Sequence, residues 1–112
     1  MKGDAGPPAK AYAEYYKGCL RGNIDRILPF IAEKERKKFE GDIKENREAI
    51  IFVLTQRPSE VEIGPPVISG NSASFTVHGS LPSREEATGS VKMILEDEKW
   101  RVSEDKWKIT LK

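Results

Sequence analysis

The sequence has few of the residues from which disulfides, metal centres and nucleophilic sites are built. Its 112 residues include one cysteine, Cys19, and one histidine, His78. A single cysteine permits no internal disulfide, and the two residues together fall short of the three or four ligands of a zinc site. The sequence also lacks a glycine-rich phosphate loop and a Gly-x-Ser-x-Gly elbow. We therefore expect no metal and no cofactor.

Long apolar runs and an excess of one charge are missing as well. The longest apolar run, Ala49 to Leu54, is far short of the ~20 residues of a membrane-spanning helix. The 19 Lys and Arg residues against 18 Asp and Glu leave a net charge of +1, which removes the long-range field that nucleic-acid binding requires. We expect no membrane insertion by this segment and no nucleic-acid partner.

Length and composition predict one folded domain. The chain is 38% hydrophobic and 33% charged, and a chain of this size can bury roughly two-thirds of its unfolded surface in one core. Residues 1–8 lack the apolar region of a signal peptide and are predicted to form a flexible lead. Residues 9–112 are predicted to form the domain, and we expect a targeting segment to be absent from this chain.

Apolar residues at helical spacing dominate the first half. The pattern predicts an amphipathic helix from Ala9 to Arg21 that ends at Gly22. Asn23 is placed to cap a short second helix, and Pro29, which lacks a backbone donor, should kink or restart it. Two short helical pieces are therefore predicted there.

A third main helix is predicted from Ile43 to Thr55. Gly41 interrupts the mixed-charge stretch before it, and Asp42 and Glu45 have the spacing of a capping box. Pro58 then stops the helix. The charges between Glu33 and Glu48 alternate in sign, which is typical of a solvated helix surface.

After Pro58 the period of the apolar residues changes from 3.6 to 2, so residues 9–57 are predicted to be helical and residues 59–112 to form a sheet. Four strands are predicted, and the last two form a hairpin about Asp97 and Glu98. Their ranges are 60–63, 72–80, 86–96 and 99–111.

The last predicted strand contains an irregularity. Trp100 and Val102 occupy even positions, whereas Trp107, Ile109 and Leu111 occupy odd ones. All five can lie on one sheet face only if an extra residue interrupts the alternation. We predict a β-bulge between about Ser103 and Lys106.

Three segments carry a resemblance to a known family: the opening helix at 11–16, the small loop followed by a helix at 22–28, and the hairpin at 91–102 with its Trp-Arg-Val. The ordering resembles the nuclear transport factor 2-like, cystatin-like cone superfamily. It is most similar to small bacterial domains of unknown function found in envelope lipoproteins. The resemblance implies an α+β fold with N-terminal helices packed on a curved antiparallel sheet of about four strands. It also implies a location in the cell envelope or periplasm.

Large aromatic side chains and two carboxylates are the candidates for a pocket between helix and sheet. The bulge can turn Glu104 or Asp105 toward an apolar cavity, where a carboxyl group could act in acid–base chemistry. The same aromatic residues could instead fill the single core of a small domain. The candidate pocket residues are Tyr12, Tyr16, Phe52, Phe75, Trp100, Trp107, Glu104 and Asp105.

Two functions follow from these candidates. The first is a non-catalytic domain that associates with a partner or binds a small apolar ligand. The alternative is a cofactor-free isomerase or hydro-lyase, with Tyr16 and one of the two bulge carboxylates in the pocket. The enzyme hypothesis expects one carboxylate buried beside Tyr16 or Trp107, whereas the association hypothesis expects both solvated and a pocket that is small or absent. No catalytic residue is assigned.

The opposite sheet face is the candidate surface for a homodimer. Strand alternation directs the polar positions of the second and third predicted strands away from the helices. A face of this polarity suits a modest, non-obligate interface. The candidate residues are Ser74, Thr76, His78, Lys92 and Ile94.

Overall fold

The computed structural model describes residues 6–81 and 85–110, and these form an α+β fold. The helical elements are α1 (Gly6–Leu20), α2 (Ile24–Ile27), a 3-10 turn (Leu28–Phe30), α3 (Glu33–Glu45) and α4 (Arg47–Thr55). The strands are β1 (Glu60–Ile63), β2 (Val67–Ser69), β3 (Ser72–Ser80), β4 (Glu86–Glu96) and β5 (Lys99–Thr110). The predicted order of helices before an antiparallel sheet is confirmed.

The first helices end where the sequence predicts. Helix α1 begins three residues before its predicted start, at Gly6, and stops before Gly22, whose positive φ of 65° suits glycine. The Asn23 side chain accepts a hydrogen bond from the Arg26 amide at 3.2 Å and caps α2. The 3-10 turn that follows contains Pro29. Both predicted short helical pieces are therefore present.

The prediction for the third helix is wrong in its start and its cap. Gly41 lies inside α3, which continues to Glu45, and Asn46 caps α4 by accepting a hydrogen bond from the Ala49 amide at 3.1 Å. Nothing lies within 4 Å of the position where a Cβ on Gly41 would stand. A solvated helix surface tolerates such a glycine at a cost of about 1 kcal/mol, so Gly41 does not end α3.

The described part of the chain forms a sheet of five strands, one more than predicted. Its path runs β1-β3-β4-β5, and β2 also pairs with β3, so β1 and β2 share one side of β3. Pro65 and Pro66 separate them because neither can donate to the ladder. Strand β2 has only three residues, too few to show a period of two.

The predicted β-bulge is confirmed on β5. Lys92 pairs with Glu104 and Met93 pairs with Val102, which leaves Ser103 as the extra residue. The Ser103 hydroxyl donates to the Lys92 carbonyl oxygen at 3.2 Å. Residues on the two sides of the bulge therefore reverse their alternation, and this reversal determines what faces the helices.

Helix α1 covers the inner face of the sheet. Its buried Tyr12, Tyr16 and Cys19 belong to one core cluster with the inward residues of β3 and β4, including Phe75 and Val91. A backbone hydrogen bond also joins the helical half to the sheet. The Ala32 amide donates to the Val102 carbonyl oxygen at 2.8 Å, which fixes the start of α3 at the edge of β5. Helices α3 and α4 are thereby held over the bulge.

Candidate functional site

A cavity of about 430 Å³ lies between the helices and β5 at the bulge. This volume falls within the range of small-molecule sites, about 300–1,000 Å³. Its walls are formed by apolar side chains from α3 and the stretch just before it, from α4 and from β5. Tyr15 of α1 also lines the cavity. The apolar wall residues are Ile31, Phe39, Ile50, Val53, Leu54 and Val102.

Asp105 lies at the inner end of this cavity. Regular alternation from the buried Val102 would have turned Glu104 inward, but the bulge shifts the inward position to Asp105, opposite the buried Val91. The Asp105 side chain is only 6% exposed. Its Oδ2 accepts a hydrogen bond from Nη1 of Arg57 at 2.7 Å, and its Oδ1 accepts from the Tyr12 hydroxyl at 3.2 Å. Both carboxylate oxygens are therefore engaged.

Arg57 follows α4 and enters the same inner end. Its side chain is 18% exposed, and its guanidinium lies 5.8 Å and 5.5 Å from the ring centroids of Tyr15 and Tyr16. Such contacts favour a cation over the ring faces. Burial opposes the charged form, but the attraction of Asp105 outweighs it and the pKa of Arg57 is raised. Arg57 is accordingly a cation at the working pH of any cell.

The tyrosines beside this ion pair serve as donors. Burial raises the pKa of both Tyr12 and Tyr16, so both phenols remain protonated. The Tyr16 hydroxyl donates to the Pro58 carbonyl at 2.6 Å, which fixes the chain just after Arg57. Tyr12 thus holds the carboxylate of Asp105, and Tyr16 holds the segment that carries Arg57.

Of the candidate pocket residues, Glu104 and Asp105 line the cavity, whereas the six aromatic candidates are not among its lining residues. Phe52 is 64% exposed on α4, so its placement in the pocket is wrong: the helix turns Leu54 inward instead. Residues two apart on an α-helix point in nearly opposite directions, so Phe52 faces solvent when Leu54 faces the core.

Tyr12 and Phe75 belong to the core. Their rings meet edge to face with centroids 5.5 Å apart, and both are buried. Trp107 packs beside Tyr16 at 6.0 Å between centroids, and Trp100 is half-buried against the same core. Asp105 is therefore buried, as the enzyme hypothesis expected of one carboxylate, and the expectation of the association hypothesis that both carboxylates are solvated and the pocket is small or absent is wrong. The hydrogen bonds of Asp105, however, join it to Tyr12 and Arg57 rather than to Tyr16 or Trp107. Glu104 is one-third exposed and pairs with Lys106 at 3.3 Å.

Sequence reasoning did not identify Arg57 or Tyr15 as site residues. Arg57 stands between the end of a helix and Pro58, where an arginine usually lies in solvent, and only the closure of β5 onto α1 buries it. Tyr15 is adjacent to Tyr16 on α1, and the i, i+3, i+4 spacing selected Tyr12 and Tyr16 instead. The one available signal was the run of three tyrosines within a single helical turn and a half.

The residues predicted for the outer sheet face lie together there. Ser74 pairs with Lys92, and Thr76 and His78 follow on the same side of β3. Four of the five candidates are exposed and Ile94 is half-buried. The Nε2 atom of His78 lies 3.5 Å from Oε1 of Glu86, which is a diagonal neighbour on β4.

Cys19 and the potential metal ligands supply no reactive centre in the described ranges. Cys19 is buried in the core, and burial raises the pKa of its thiol to about 11, so it is a neutral thiol at neutral pH. Residues 6–81 and 85–110 contain no group of three or more His, Cys, Asp or Glu side chains placed to hold a metal ion. No helix within those ranges is long and apolar enough to cross a membrane.

Comparison with known proteins identifies the architecture. No protein-family model matches the chain, and no curated protein matches its sequence. A solved structure of a proposed NTF2-like transpeptidase from Campylobacter jejuni matches with a TM-score of 0.66 at 15% identity, covering 88% of this chain and 99% of that one. The chain has the NTF2-like fold.

Two further NTF2-like structures resemble the chain over nearly its whole length. An NTF2-like protein of unknown function from Shewanella baltica has a TM-score of 0.62 at 12% identity, covering 95% of this chain and 93% of its own. A proposed dehydratase of the NTF2-like family from Streptomyces avermitilis has a TM-score of 0.61 at 8% identity, covering 95% of both chains. Such identities establish the NTF2-like fold alone, and activity has to be argued from the site.

Proposed function

We propose that this NTF2-like domain is a non-catalytic binding domain for a small apolar ligand, held in the cavity between α3, α4 and β5. The observation that supports this proposal is the cavity itself: its walls are apolar, and its innermost carboxylate, Asp105, is occupied by Arg57 and Tyr12. Walls of this kind supply affinity by burying apolar surface, about 25 cal/mol for each Å² removed from water. A few polar groups at the inner end then orient the ligand.

The catalytic alternative also has support. A carboxylate, Asp105, and a tyrosine, Tyr15, both line the cavity, as an isomerase or hydro-lyase without a cofactor would require. One solved structure with this fold is a proposed dehydratase. Asp105, however, is ion-paired with Arg57 at 2.7 Å and also accepts a hydrogen bond from Tyr12, so these two contacts hold its carboxylate in place and leave only its remaining lone pairs for a substrate. Binding without catalysis is the function that this geometry supports better.

Filling the cavity tests the binding function. The variant Ile50→Trp places an indole among the wall residues and is expected to reduce the affinity for apolar dyes at least about tenfold, because the dye and the indole would occupy the same volume. The measurement is a fluorescence titration with the uncharged dye Nile red.

The matched control is Phe52→Trp, on the same helix but 64% exposed and outside the cavity. This variant is expected to bind Nile red as the parent protein does. Failure of the parent protein to bind Nile red, or equal binding by Ile50→Trp, would contradict the proposed function. Circular dichroism of both variants establishes that they are folded before the titrations are compared.

We also propose that the outer sheet face forms a homodimer. The support is its composition: Ser74, Thr76, His78 and Lys92 form an exposed polar face across β3 and β4. The expected result for Thr76→Arg is weaker self-association in sedimentation equilibrium, because two copies of the face would bring the added charges together in a desolvated interface. Unchanged sedimentation would count against this interface.

We also propose that the protein is bacterial and belongs to the cell envelope. The solved structures with this fold named above come from bacteria. Resemblance to domains of envelope lipoproteins supports a place in the cell envelope. Fractionation of cells that express the complete gene is the direct measurement of its location.

A further inference from the structure

We propose that the cavity selects uncharged ligands that carry a hydrogen-bond acceptor, with Arg57 as the donor that contacts the acceptor. This inference rests on the proposed binding function and adds the chemical class of the ligand. It follows from the arrangement of charge along the cavity, which differs between the inner end and the mouth.

The inner end of the cavity presents hydrogen-bond donors. Arg57 has five N–H donors, and its hydrogen bond to Asp105 is the one it makes among residues 6–81 and 85–110. Asp105 is paired with Arg57 and is 6% exposed against 18% for Arg57, so the inner end is an ion pair whose more accessible partner is the guanidinium. A cationic group at this end would meet the N–H donors of Arg57, from which it can accept no hydrogen bond.

The mouth presents an excess of negative charge. Glu35, Asp42 and Glu104 line it together with a single lysine, Lys38. Three negative charges against one positive leave −2, and counting Lys106 as the partner of Glu104 still leaves −1. A carboxylate or sulfate on the ligand would be repelled here before it reached Arg57. Anions are therefore disfavoured at the mouth, and cations at the inner end.

An uncharged acceptor avoids both penalties. An ester, amide or ketone oxygen can accept a hydrogen bond from a free N–H of Arg57, and a bond from a charged donor is stronger than one between neutral groups. The hydrocarbon part of the same ligand would contact Ile50, Leu54 and Phe39 in the walls. The cavity thus combines an apolar body with one oriented polar contact.

Four ligands with one ring system test this inference. Methyl naphthoate carries an uncharged acceptor, naphthoate an anion, naphthylmethylammonium a cation, and isopropylnaphthalene no polar group. NMR titration of the full chain reports affinity and, through the Arg57 Nε–H signal, the contact itself. Methyl naphthoate is expected to bind at least about tenfold more tightly than each of the other three, as a charge-assisted hydrogen bond allows.

Charge removal at the mouth supplies the matched protein test. The double variant Glu35→Gln/Asp42→Asn is expected to bind naphthoate several-fold more tightly while its affinity for methyl naphthoate is unchanged. The control Glu40→Gln/Glu45→Gln removes the same charge from exposed positions of α3 outside this cavity and is expected to change neither affinity.

If naphthoate or the ammonium compound binds as tightly as the ester, or if isopropylnaphthalene does, the selection for uncharged acceptors is overturned and the binding function stands. Equal effects of the two double variants would overturn the role of the mouth. Absence of binding by all four compounds, together with absence of dye binding, would overturn the proposed function itself.

Discussion

Replacing Asp105 by alanine is expected to lower the free energy of unfolding by about 3–5 kcal/mol, because it leaves the guanidinium of Arg57 buried without its partner. The side chains of the pair are 18% and 6% exposed and their atoms are 2.7 Å apart, so water cannot compensate for the lost carboxylate. Tyr12 would lose its acceptor in the same step. Urea denaturation of the parent protein and the variant measures this difference.

An apolar replacement of the whole cluster is the control for Asp105→Ala. The triple variant Arg57→Met/Asp105→Leu/Tyr12→Phe removes the charges and the orphaned hydroxyl together, and it is expected to recover most of the lost stability because the desolvation penalty disappears with the charges. A loss below about 1 kcal/mol for Asp105→Ala would show that the pair behaves as a solvent-screened surface pair. That result would contradict the buried position described for it.

Replacing Gly89 by alanine is expected to cost about 3 kcal/mol, the upper part of the range for overpacked sites. A Cβ on Gly89 would stand 2.5 Å from the Lys106 carbonyl oxygen and 3.1 Å from Cδ2 of Trp107. The carbonyl belongs to the paired strand β5, so it cannot yield without disturbing the β4–β5 ladder. Chemical denaturation again supplies the measurement.

Gly41→Ala is the matched control for Gly89→Ala, because the same methyl group is added where no atom lies within 4 Å. Gly41 is inside α3, where alanine is favoured over glycine by about 0.5–1 kcal/mol, so this variant is expected to be more stable than the parent protein. Similar effects at the two glycines would mean that β4 and β5 approach each other less closely at Gly89 than the structure shows.

The sequence predicted a bulge near Ser103 to Lys106, but it did not predict which of the two carboxylates the bulge would turn inward. The parity of Trp100 and Val102 against Trp107 and Ile109 requires an extra residue between them. Parity alone leaves open where between Ser103 and Lys106 the residue is inserted. The extra residue is Ser103, and this places Asp105 at the inner end of the cavity and leaves Glu104 at its mouth. Two neighbouring carboxylates were candidates, and the register of one strand pair selected between them.

The helix ends show where local signals compete. Asn23 was identified correctly because a single capping side chain follows a glycine break. Between Glu33 and Glu48, both Asp42 and Asn46 are capable caps, and Gly41 favoured the first. The structure uses Asn46 because the solvated α3 tolerates Gly41 and continues to Glu45.

The sequence by itself determined the division into helices and sheet, because periods of 3.6 and 2 are properties of neighbouring residues. It also determined the ranges of β1, β3 and β4 and the resemblance to the NTF2-like fold. Only the tertiary structure decided that Arg57, Tyr12 and Asp105 meet, since they are separated by up to 93 positions along the chain. A buried ion pair and the cavity beside it depend on how α1, α4 and β5 close on one another, and no local pattern encodes that closure.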